Sequence, residues 1–276
     1  MSYDKSVEEH YLHGNLLKTI EAALPDLGKT TENIGIEDLA DVDEFHIGGR
    51  QATRNLIAKL VFSGQSHVLD VGCGLGGTAR YVVDKYNNCV TGIDLSREYV
   101  ETGNDLSSWF DMEKNINLIH GSALAMPFED ETFDGGYMLH VGMNIADKAQ
   151  LFKEIYRVLR PRTFFGIYDV MRQTGAELIY PVPWATDNSI CKIAVSQEYK
   201  QTLSDAGFGV SKENNCLDFA LDFFKRMREK SIANGALPPL GLHTLMQESA
   251  TIQLNNLIEN IEKGYIAPVE IIAYRY

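Results

Sequence analysis

The feature that most constrains the fold is a glycine-rich segment that directly follows an apolar run. Residues 67–71 read His-Val-Leu-Asp-Val, and glycines follow at positions 72, 74, 76 and 77 before a helical pattern begins at Thr78. This order predicts a buried parallel strand, a tight turn and a helix, because glycine adopts positive φ readily and lets a ligand approach the backbone closely. The N–H groups and positive dipole end of the new helix favour a small, nucleotide-like ligand.

Strands and helices alternate after this turn. Strand-like runs lie at residues 89–95, 117–120, 133–139 and 164–170, and helical patterns cover 76–85, 99–112 and 148–159. This alternation is typical of a doubly wound, mostly parallel α/β sheet, which a last antiparallel strand at residues 268–274 completes. Ligands bind beyond the carboxyl ends of the strands in such sheets, so the functional residues are expected there.

Composition supports a single α/β domain with additions at both ends. We expect an N-terminal helical cap over residues 1–62 and the catalytic domain over residues 63–276. An irregular insertion at about 171–196 and helices over about 217–263 are expected to form a lid on that domain.

Three local predictions concern helix boundaries. Apolar residues at helical spacing predict one amphipathic helix over residues 7–24, ended by Pro25. Ser196 is the expected N-cap of a helix that ends near Gly207. A helix breaker is expected at residues 235–239.

Charge and hydropathy restrict the partners and the compartment. The 276 residues carry a formal net charge of −13, whereas a nucleic-acid substrate needs a basic surface. No apolar run approaches the roughly 18–20 residues that span a membrane, and residues 1–5 lack the features of a signal peptide. We therefore expect a soluble, cytoplasmic protein with no nucleic-acid partner and no membrane insertion.

The roles of the acidic stretch and of the cysteines each leave alternatives open. The acidic stretch between Glu32 and Glu44 is either a surface flap or a mouth that attracts a cationic substrate. The four cysteines and the remaining sequence lack metal-ligand spacing, so we expect reduced thiols and no metal. Cys73, inside the glycine turn, is a packing residue or a nucleophile.

The ligand of the glycine turn can be narrowed from its neighbours. Gly72, Gly74 and Gly77 satisfy G-x-G-x-x-G, which alone also fits a dinucleotide. Asp70 immediately before them would repel a pyrophosphate and suits an ammonium group. Asp94, at the end of the second strand, can accept hydrogen bonds from both ribose hydroxyls.

Five segments in order resemble a known family. They are residues 68–74 (Val-Leu-Asp-Val-Gly-Cys-Gly), 92–94 (Gly-Ile-Asp), 125–128 (Ala-Met-Pro-Phe), 133–134 (Phe-Asp) and 157–161 (Arg-Val-Leu-Arg-Pro). Together they closely resemble class I S-adenosylmethionine (SAM) methyltransferases, most of all the branch of ubiquinone-biosynthesis, sarcosine/dimethylglycine and sugar O-methyltransferases. The resemblance implies a seven-stranded Rossmann-like sheet and SAM as the cofactor.

The resemblance also implies roles for residues that match the family's motifs. Asp70, Gly72 and Gly74 would surround the methionine part of SAM, Asp94 would hold the ribose and Leu95 would flank the adenine.

Further cofactor-binding residues are expected around this set. Ser122 and Ala123 would hold the amino edge of the adenine, although many members have Asp at the position of Ser122. His46 resembles the histidine with which the N-terminal region covers SAM in this branch, or it forms a simple loop-to-helix corner. Leu139, at the end of the fourth strand, is the last expected cofactor contact.

Candidate catalytic residues lie at the ends of the fourth and fifth strands. His140 is either a general base or substrate ligand, or a packed, hydrogen-bonded histidine. The resemblance does not decide between these roles, because the family's own histidine falls later, where this chain has Met143 and Asn144. Asp169 matches a frequent family aspartate and would orient a base or bind an ammonium group, or cap the next turn. Tyr180 and Trp184, in the insertion, would contact the acceptor or form the lid's own small core.

These observations predict an enzyme that transfers a methyl group from SAM to an N or O atom of a small metabolite, releasing S-adenosylhomocysteine. C-methylation of a quinone-like or polyketide-like acceptor stays open, and so does a nucleotide-dependent oxidoreductase. A non-catalytic SAM-binding scaffold is a third possibility. The acceptor and the oligomeric state do not follow from the sequence.

Overall fold

A seven-stranded sheet forms the centre of the computed structural model, which describes residues 3–234, 238–246 and 249–276. The spatial strand order is β3-β2-β1-β4-β5-β7-β6. In chain order the strands are β1 (His67–Val71), β2 (Cys89–Asp94), β3 (Ile116–His120), β4 (Gly135–Leu139), β5 (Thr163–Arg172), β6 (Phe208–Asn215) and β7 (Ile266–Arg275).

Strand directions confirm the predicted doubly wound, mostly parallel sheet. Strands β1 to β5 pair in parallel, and β7 is antiparallel to both β5 and β6. The chain leaves β1 for β2 on one side and later returns to β4 on the other side. The crevice between the carboxyl ends of β1 and β4 is therefore the place where this fold binds ligands.

Helices cover both faces of the sheet, precede β1 and connect β6 to β7. They are α1 (Tyr3–His10), α2 (Leu16–Ala23), α3 (Ile36–Asp43), α4 (Gly49–Ile57), α5 (Gly77–Tyr86), α6 (Arg97–Ser108), α7 (Lys148–Val158), α8 (Ser196–Ala206), α9 (Leu217–Asn234), α10 (Leu242–Met246) and α11 (Ala250–Glu262). Short 3₁₀ turns occur at Pro25–Leu27 and Gly142–Asn144.

Alternating side chains of the buried strands build two separate cores. Leu69 packs with α7 and α8 residues such as Phe152 and Leu203. Val68, the preceding residue, packs on the other face with α4 and α5 residues such as Leu56 and Val82. This alternation explains why the run before the glycines is apolar throughout: a strand covered on both faces buries every side chain.

The single helix predicted over residues 7–24 is wrong, because α1 ends at His10 and α2 begins at Leu16. The carboxylate of Glu98, on α6, accepts hydrogen bonds from the backbone N–H groups of His13, Gly14 and Leu16 at 2.7, 2.8 and 3.0 Å. These N–H groups would otherwise bond within a continuous helix. Glu98 thus fixes the break between the two cap helices.

Two other local predictions have different outcomes. Val195 precedes the first helical residue of α8 and Ser196 belongs to the helix, so Ser196 is not the N-cap; its hydroxyl instead lies beside the Glu213 carboxylate. The helix is confirmed to end before Gly207. Residues 235–237 of the expected breaker lie outside the described residues. Within the described ranges, no helix has the length and apolar character needed to cross a membrane.

Candidate functional site

A cavity of about 410 Å³ opens at the carboxyl ends of β1, β2 and β4, beneath the N-terminal cap and the lid. Most residues predicted for cofactor or substrate binding line it. They are His46, Asp70, Gly72, Gly74, Asp94, Leu95, Ser122, Ala123, Leu139, His140 and Trp184. Asp169 and Tyr180 are not among the described lining residues.

The glycine turn is shaped to bring backbone against the cavity. Gly72 has φ +70°, and a Cβ built there would overlap the side chain of Val141, which follows β4. A Cβ at Gly74 would meet nothing nearer than a Tyr99 ring carbon at 4.0 Å. The turn therefore packs closely against β4 at Gly72 and leaves space beside Gly74, where a ligand can contact the backbone.

Asp70 places a carboxylate at the floor of the cavity. The residue is 2% exposed, and its Oδ2 has no hydrogen-bond partner among the described residues. Burial raises the pKa of Asp70 well above its usual range; the Tyr137 hydroxyl beside it lowers the pKa in part, and the nearby Asp94 and Glu44 carboxylates raise it further. A buried carboxylate without a cation is costly, so this position suits a ligand that brings a positive charge, such as the α-ammonium group of SAM.

Asp94 organises the other side of the turn. Its Oδ2 accepts from the Gly74 N–H at 2.9 Å, and its Oδ1 accepts from the Ser96 N–H at 2.8 Å. Each carboxylate oxygen retains a second lone pair, which can accept a hydrogen bond from a ribose hydroxyl. The Ser96 hydroxyl also accepts from the Tyr99 N–H and caps α6 beside the cavity.

Side chains beyond Asp94 fit a flat heterocycle. Leu95, Ser122 and Ala123 line the same part of the cavity, at the ends of β2 and β3. The Ser122 hydroxyl accepts from the Leu124 N–H at 3.3 Å, so it also holds its own turn. Together with Asp70 and Asp94, this set offers a cation partner, a ribose partner and an apolar adenine wall. The residues present therefore fit SAM.

His140 lines the same cavity directly after β4. Its backbone has φ +54°, and its ring stacks on Tyr168 with centroids 5.5 Å apart and an interplanar angle of 17°. Nε2 is buried without a hydrogen-bond partner in the described part of the chain. Burial and the neighbouring His46 lower the pKa of His140 well below its usual range. The ring is therefore neutral and can accept a proton or a hydrogen bond.

His46 reaches the same cavity from the N-terminal cap. Its ring centroid lies 5.9 Å from that of His140. Its Nε2 is 3.1 Å from the Thr53 hydroxyl and 3.2 Å from the Gly49 carbonyl. Burial lowers the pKa of His46 to about 4. One ring nitrogen is thus engaged by the cap, while the ring itself forms part of the cavity wall.

The structure does not bring Asp169 to the cavity, contrary to its predicted catalytic position. It is fully buried on the far side of the Gly142–Asn144 turn. Its Oδ2 accepts from the Tyr199 hydroxyl at 2.6 Å, and its Oδ1 accepts from the Val170 N–H at 2.9 Å. The alternation of β5 directs Tyr168 towards His140 and Asp169 towards α8.

Tyr180 also lies away from the cavity lining. Its hydroxyl donates to Asn188 at 3.3 Å, and its ring packs against the core of the insertion. Trp184 belongs to the same small core but does line the cavity. Of the two aromatic residues predicted as acceptor contacts, only Trp184 is among the described lining residues.

Apart from His46, the residues that the N-terminal cap contributes and most of the apolar lining were not expected from the sequence. Tyr11 and Phe45 from the N-terminal cap, and Leu245, Leu254 and Leu257 from α10 and α11, line the cavity. The helical spacing of these residues predicts buried faces, but it does not distinguish a core from a cavity wall.

A buried ionic cluster joins the cap to the glycine turn. Asp43 and Glu44 lie at the end of α3, and Arg80 of α5 donates to Asp43 Oδ2 at 2.6 Å. Arg50 donates to Glu44 and, at 3.1 Å, to the carbonyl of Gly77. Part of the acidic stretch predicted as a surface flap or a mouth is therefore internal and neutralised.

Part of the chain matches a known protein family. Residues 69–167 match the family model described as a methyltransferase domain. O-methyltransferase resE of Aspergillus sclerotiorum is 25% identical over 200 residues, covering 71% of this chain and 75% of that protein. Cycloartenol-C-24-methyltransferase of Arabidopsis thaliana is 34% identical over 102 residues, covering 37% of this chain and 30% of the relative.

A solved structure extends the likeness to the whole chain. Geranyl diphosphate C-methyltransferase from Streptomyces coelicolor A3(2), in complex with S-adenosyl-L-homocysteine, has a TM-score of 0.71 at 17% identity and covers 100% of this chain and 99% of its own. At that identity the likeness is one of fold. The chain spans less than half the length of the cycloartenol and sterol methyltransferases that it matches.

The fold, the motif-bearing segment and the cofactor cavity together define the class. Residues 69–167 contain a methyltransferase domain, and this match, the relatives and the structural neighbours support a class I SAM-dependent methyltransferase with SAM as its cofactor. These matches favour SAM over the dinucleotide that the G-x-G-x-x-G spacing alone allowed.

Proposed function

We propose that this protein transfers the methyl group of SAM to a hydroxyl oxygen of an apolar small molecule and releases S-adenosylhomocysteine. The observation that carries the proposal is the juxtaposition of a neutral histidine with an apolar chamber beside the cofactor site. His140 is the polar end of that chamber, and side chains of the cap and lid form the remainder.

The chamber suits an apolar acceptor and disfavours an anionic one. Apolar and aromatic side chains dominate its lining, among them Phe45, Met143, Trp184, Phe223 and Leu257. The described lining includes no lysine or arginine. Burying such a surface against an acceptor yields about 25 cal/mol per Å² of apolar area, so an apolar ring or chain would be held here by the hydrophobic effect.

His140 suits the removal of a hydroxyl proton. SAM, when bound, supplies a methyl group on a sulfonium that is already activated for displacement. The protein then has to align the acceptor, exclude water and accept its proton. A neutral imidazole is sufficient, because the hydroxyl proton becomes strongly acidic as the new C–O bond forms.

The test is incubation of the protein with methyl-labelled SAM and a metabolite extract, followed by mass spectrometry of the labelled product. We expect an O-methylated apolar compound. With that acceptor, His140→Gln should lower kcat by about 100- to 10,000-fold and leave the Kd for SAM within about two-fold, because His140 belongs to the acceptor side.

His67→Gln is the matched control, since His67 lies at the start of β1 and its Nε2 bonds Thr91 at 2.8 Å, away from the cavity. It should leave the rate unchanged. Absence of any labelled product, or an unchanged rate in His140→Gln, would overturn the proposal.

C-methylation of an apolar acceptor is the second candidate. The aromatic rings of Phe45, Trp184 and Phe223 favour it, because the negative faces of aromatic rings attract positive charge that develops on a carbon skeleton. A labelled methyl bonded to carbon in the same experiment would select this candidate.

A further inference from the structure

Three buried polar side chains meet directly behind the acceptor chamber. They are Lys148 of α7, Asp169 of β5 and Tyr199 of α8, with exposures of 3%, 0% and 0%. The Tyr199 hydroxyl donates to Asp169 at 2.6 Å, and the Lys148 ammonium lies 5.3 Å from the centre of the Tyr199 ring. None of the three lines the cavity among the described residues.

Each end of the neighbouring 3₁₀ turn contacts this group. The Gly142 backbone, including its N–H, lies against the Asp169 carboxylate, and a Cβ built at Gly142 would overlap both Asp169 and Tyr199. At the other end, Lys148 Nζ donates to the Ile145 carbonyl at 3.1 Å. A second bond, at 2.8 Å to the Lys192 carbonyl, ties the insertion to the same ammonium group.

The turn held in this way forms part of the cavity wall. Met143, Asn144 and Ile145 all line the cavity, and the turn begins two residues after His140. Asn144 Nδ2 also donates to the Tyr11 hydroxyl at 3.0 Å, which connects the turn to the N-terminal cap.

We propose that Asp169, Tyr199 and Lys148 form a positioning unit that fixes the 142–145 turn and thereby sets acceptor binding. Asp169 is then a positioning residue that acts through the backbone of Gly142. The expected effect on acceptor binding rests on the proposed function. The expected hold on the 142–145 turn does not, and it can be tested without an acceptor.

The charge of Asp169 gives the unit a pH signature. Tyr199 and Lys148 face Asp169, and Lys148 also faces Glu198, Cys191 and Lys192. Burial raises the pKa of Asp169 to about 6. A protonated carboxyl is a weaker acceptor than a carboxylate, so the turn is held less firmly below about pH 6.

Hydrogen–deuterium exchange of a peptide that covers residues 141–146 tests the structural step. Tyr199→Phe removes one donor to Asp169 with little change of volume, and we expect exchange in this peptide about ten-fold faster than in the wild type. Glu270→Gln is the control, because Glu270 is another buried carboxylate, paired with Lys59 at 2.5 Å, on β7. It should leave the peptide unchanged.

Kinetics with the identified acceptor test the consequence. Tyr199→Phe should raise the KM for the acceptor about ten-fold, with kcat and the Kd for SAM within about two-fold. In the wild type, KM should rise below about pH 6, and Asp169→Asn should abolish that dependence.

If folded Tyr199→Phe shows unchanged hydrogen–deuterium exchange in the peptide 141–146, the positioning role is overturned. An acceptor KM that is the same in Tyr199→Phe as in the wild type would also overturn it. The exchange measurement decides the structural step even if no methyl acceptor is found, so failure of the proposed function and failure of this inference are distinguishable.

Discussion

Asp70 is a buried carboxylate whose charge should depend on the cofactor. In the free protein, burial together with Asp94 and Glu44 raises its pKa well above the usual range. An ammonium group beside it would favour the ionised form and lower the pKa again. Cofactor binding and proton release at Asp70 are therefore coupled.

This coupling predicts a pH-dependent affinity for SAM. Below the raised pKa, Asp70 is neutral and SAM binding must release its proton, so the affinity rises with pH and levels off above that pKa. Asp70→Asn should weaken binding at pH 8 by about 10- to 100-fold and flatten the profile. Calorimetry in buffers of different ionisation enthalpy measures both effects. A wild-type affinity for SAM that does not change between pH 5 and pH 9 would contradict the coupling.

The position of Asp70 and Asp94 at one cavity could be predicted from sequence, because strand ends and glycines define it. Asp70 and Asp94 each end a buried run, and the parallel sheet brings those ends to one edge. The place of Asp169 could not be predicted. Its direction depends on the alternation of β5 and on Tyr199, thirty residues further along the chain, which no local pattern connects to it.

At the scale of elements, the break between α1 and α2 depends on one distant side chain. Partial burial alone would raise the pKa of Glu98, but the N–H donors of Gly14, Leu16 and His13 lower it. The carboxylate is therefore charged at neutral pH and strongly bound to the cap. The break was missed in the sequence because Glu98 lies more than eighty residues beyond it.

Glu98→Ala should loosen the N-terminal cap. Loss of three hydrogen bonds to a charged group should reduce the free energy of unfolding by about 2 kcal/mol, which corresponds to roughly 4–8 °C in Tm. Limited proteolysis should show faster cleavage within residues 10–16.

Glu101→Ala, on the exposed part of the same helix, is the control, because Glu101 contacts only Arg97, at 3.9 Å, among the ion pairs of the described residues. Equal Tm values and equal cleavage for the two variants would refute the anchoring role of Glu98.

At the scale of the whole molecule, buried charges tie the cap to the cofactor turn. Arg80 is fully buried and donates to Asp43 at 2.6 Å, to the Gly103 carbonyl at 3.2 Å and to Ser107 at 3.1 Å. Burial raises the pKa of Asp43 to about 6 even with two arginines nearby. The cap and the SAM-binding turn are therefore expected to fold as one unit.

Arg80→Met tests this connection. It leaves the Asp43 carboxyl buried without its main cation, and the free energy of unfolding should fall by about 3–5 kcal/mol. The pKa of Asp43 then rises further in the folded state, while the unfolded carboxyl ionises near its usual value. The loss should accordingly be larger at pH 8 than at pH 5.

Urea unfolding at the two pH values measures this difference. Arg97→Met, at an arginine whose side chain is 64% exposed, should change stability by less than about 1 kcal/mol. A loss of unfolding free energy in Arg80→Met that is as small as in Arg97→Met would contradict this connection. A loss that is larger at pH 5 than at pH 8 would contradict it too.

The most direct test of the central claim is a calorimetric titration of the protein with SAM at pH 8. We expect one SAM per chain in the wild type. In Asp94→Ala the affinity should be at least about 100-fold weaker, because two charge-assisted hydrogen bonds and the hold on Gly74 are lost together. No SAM binding by the wild type, or an unaltered affinity in Asp94→Ala, would contradict the assignment of this cavity as the cofactor site.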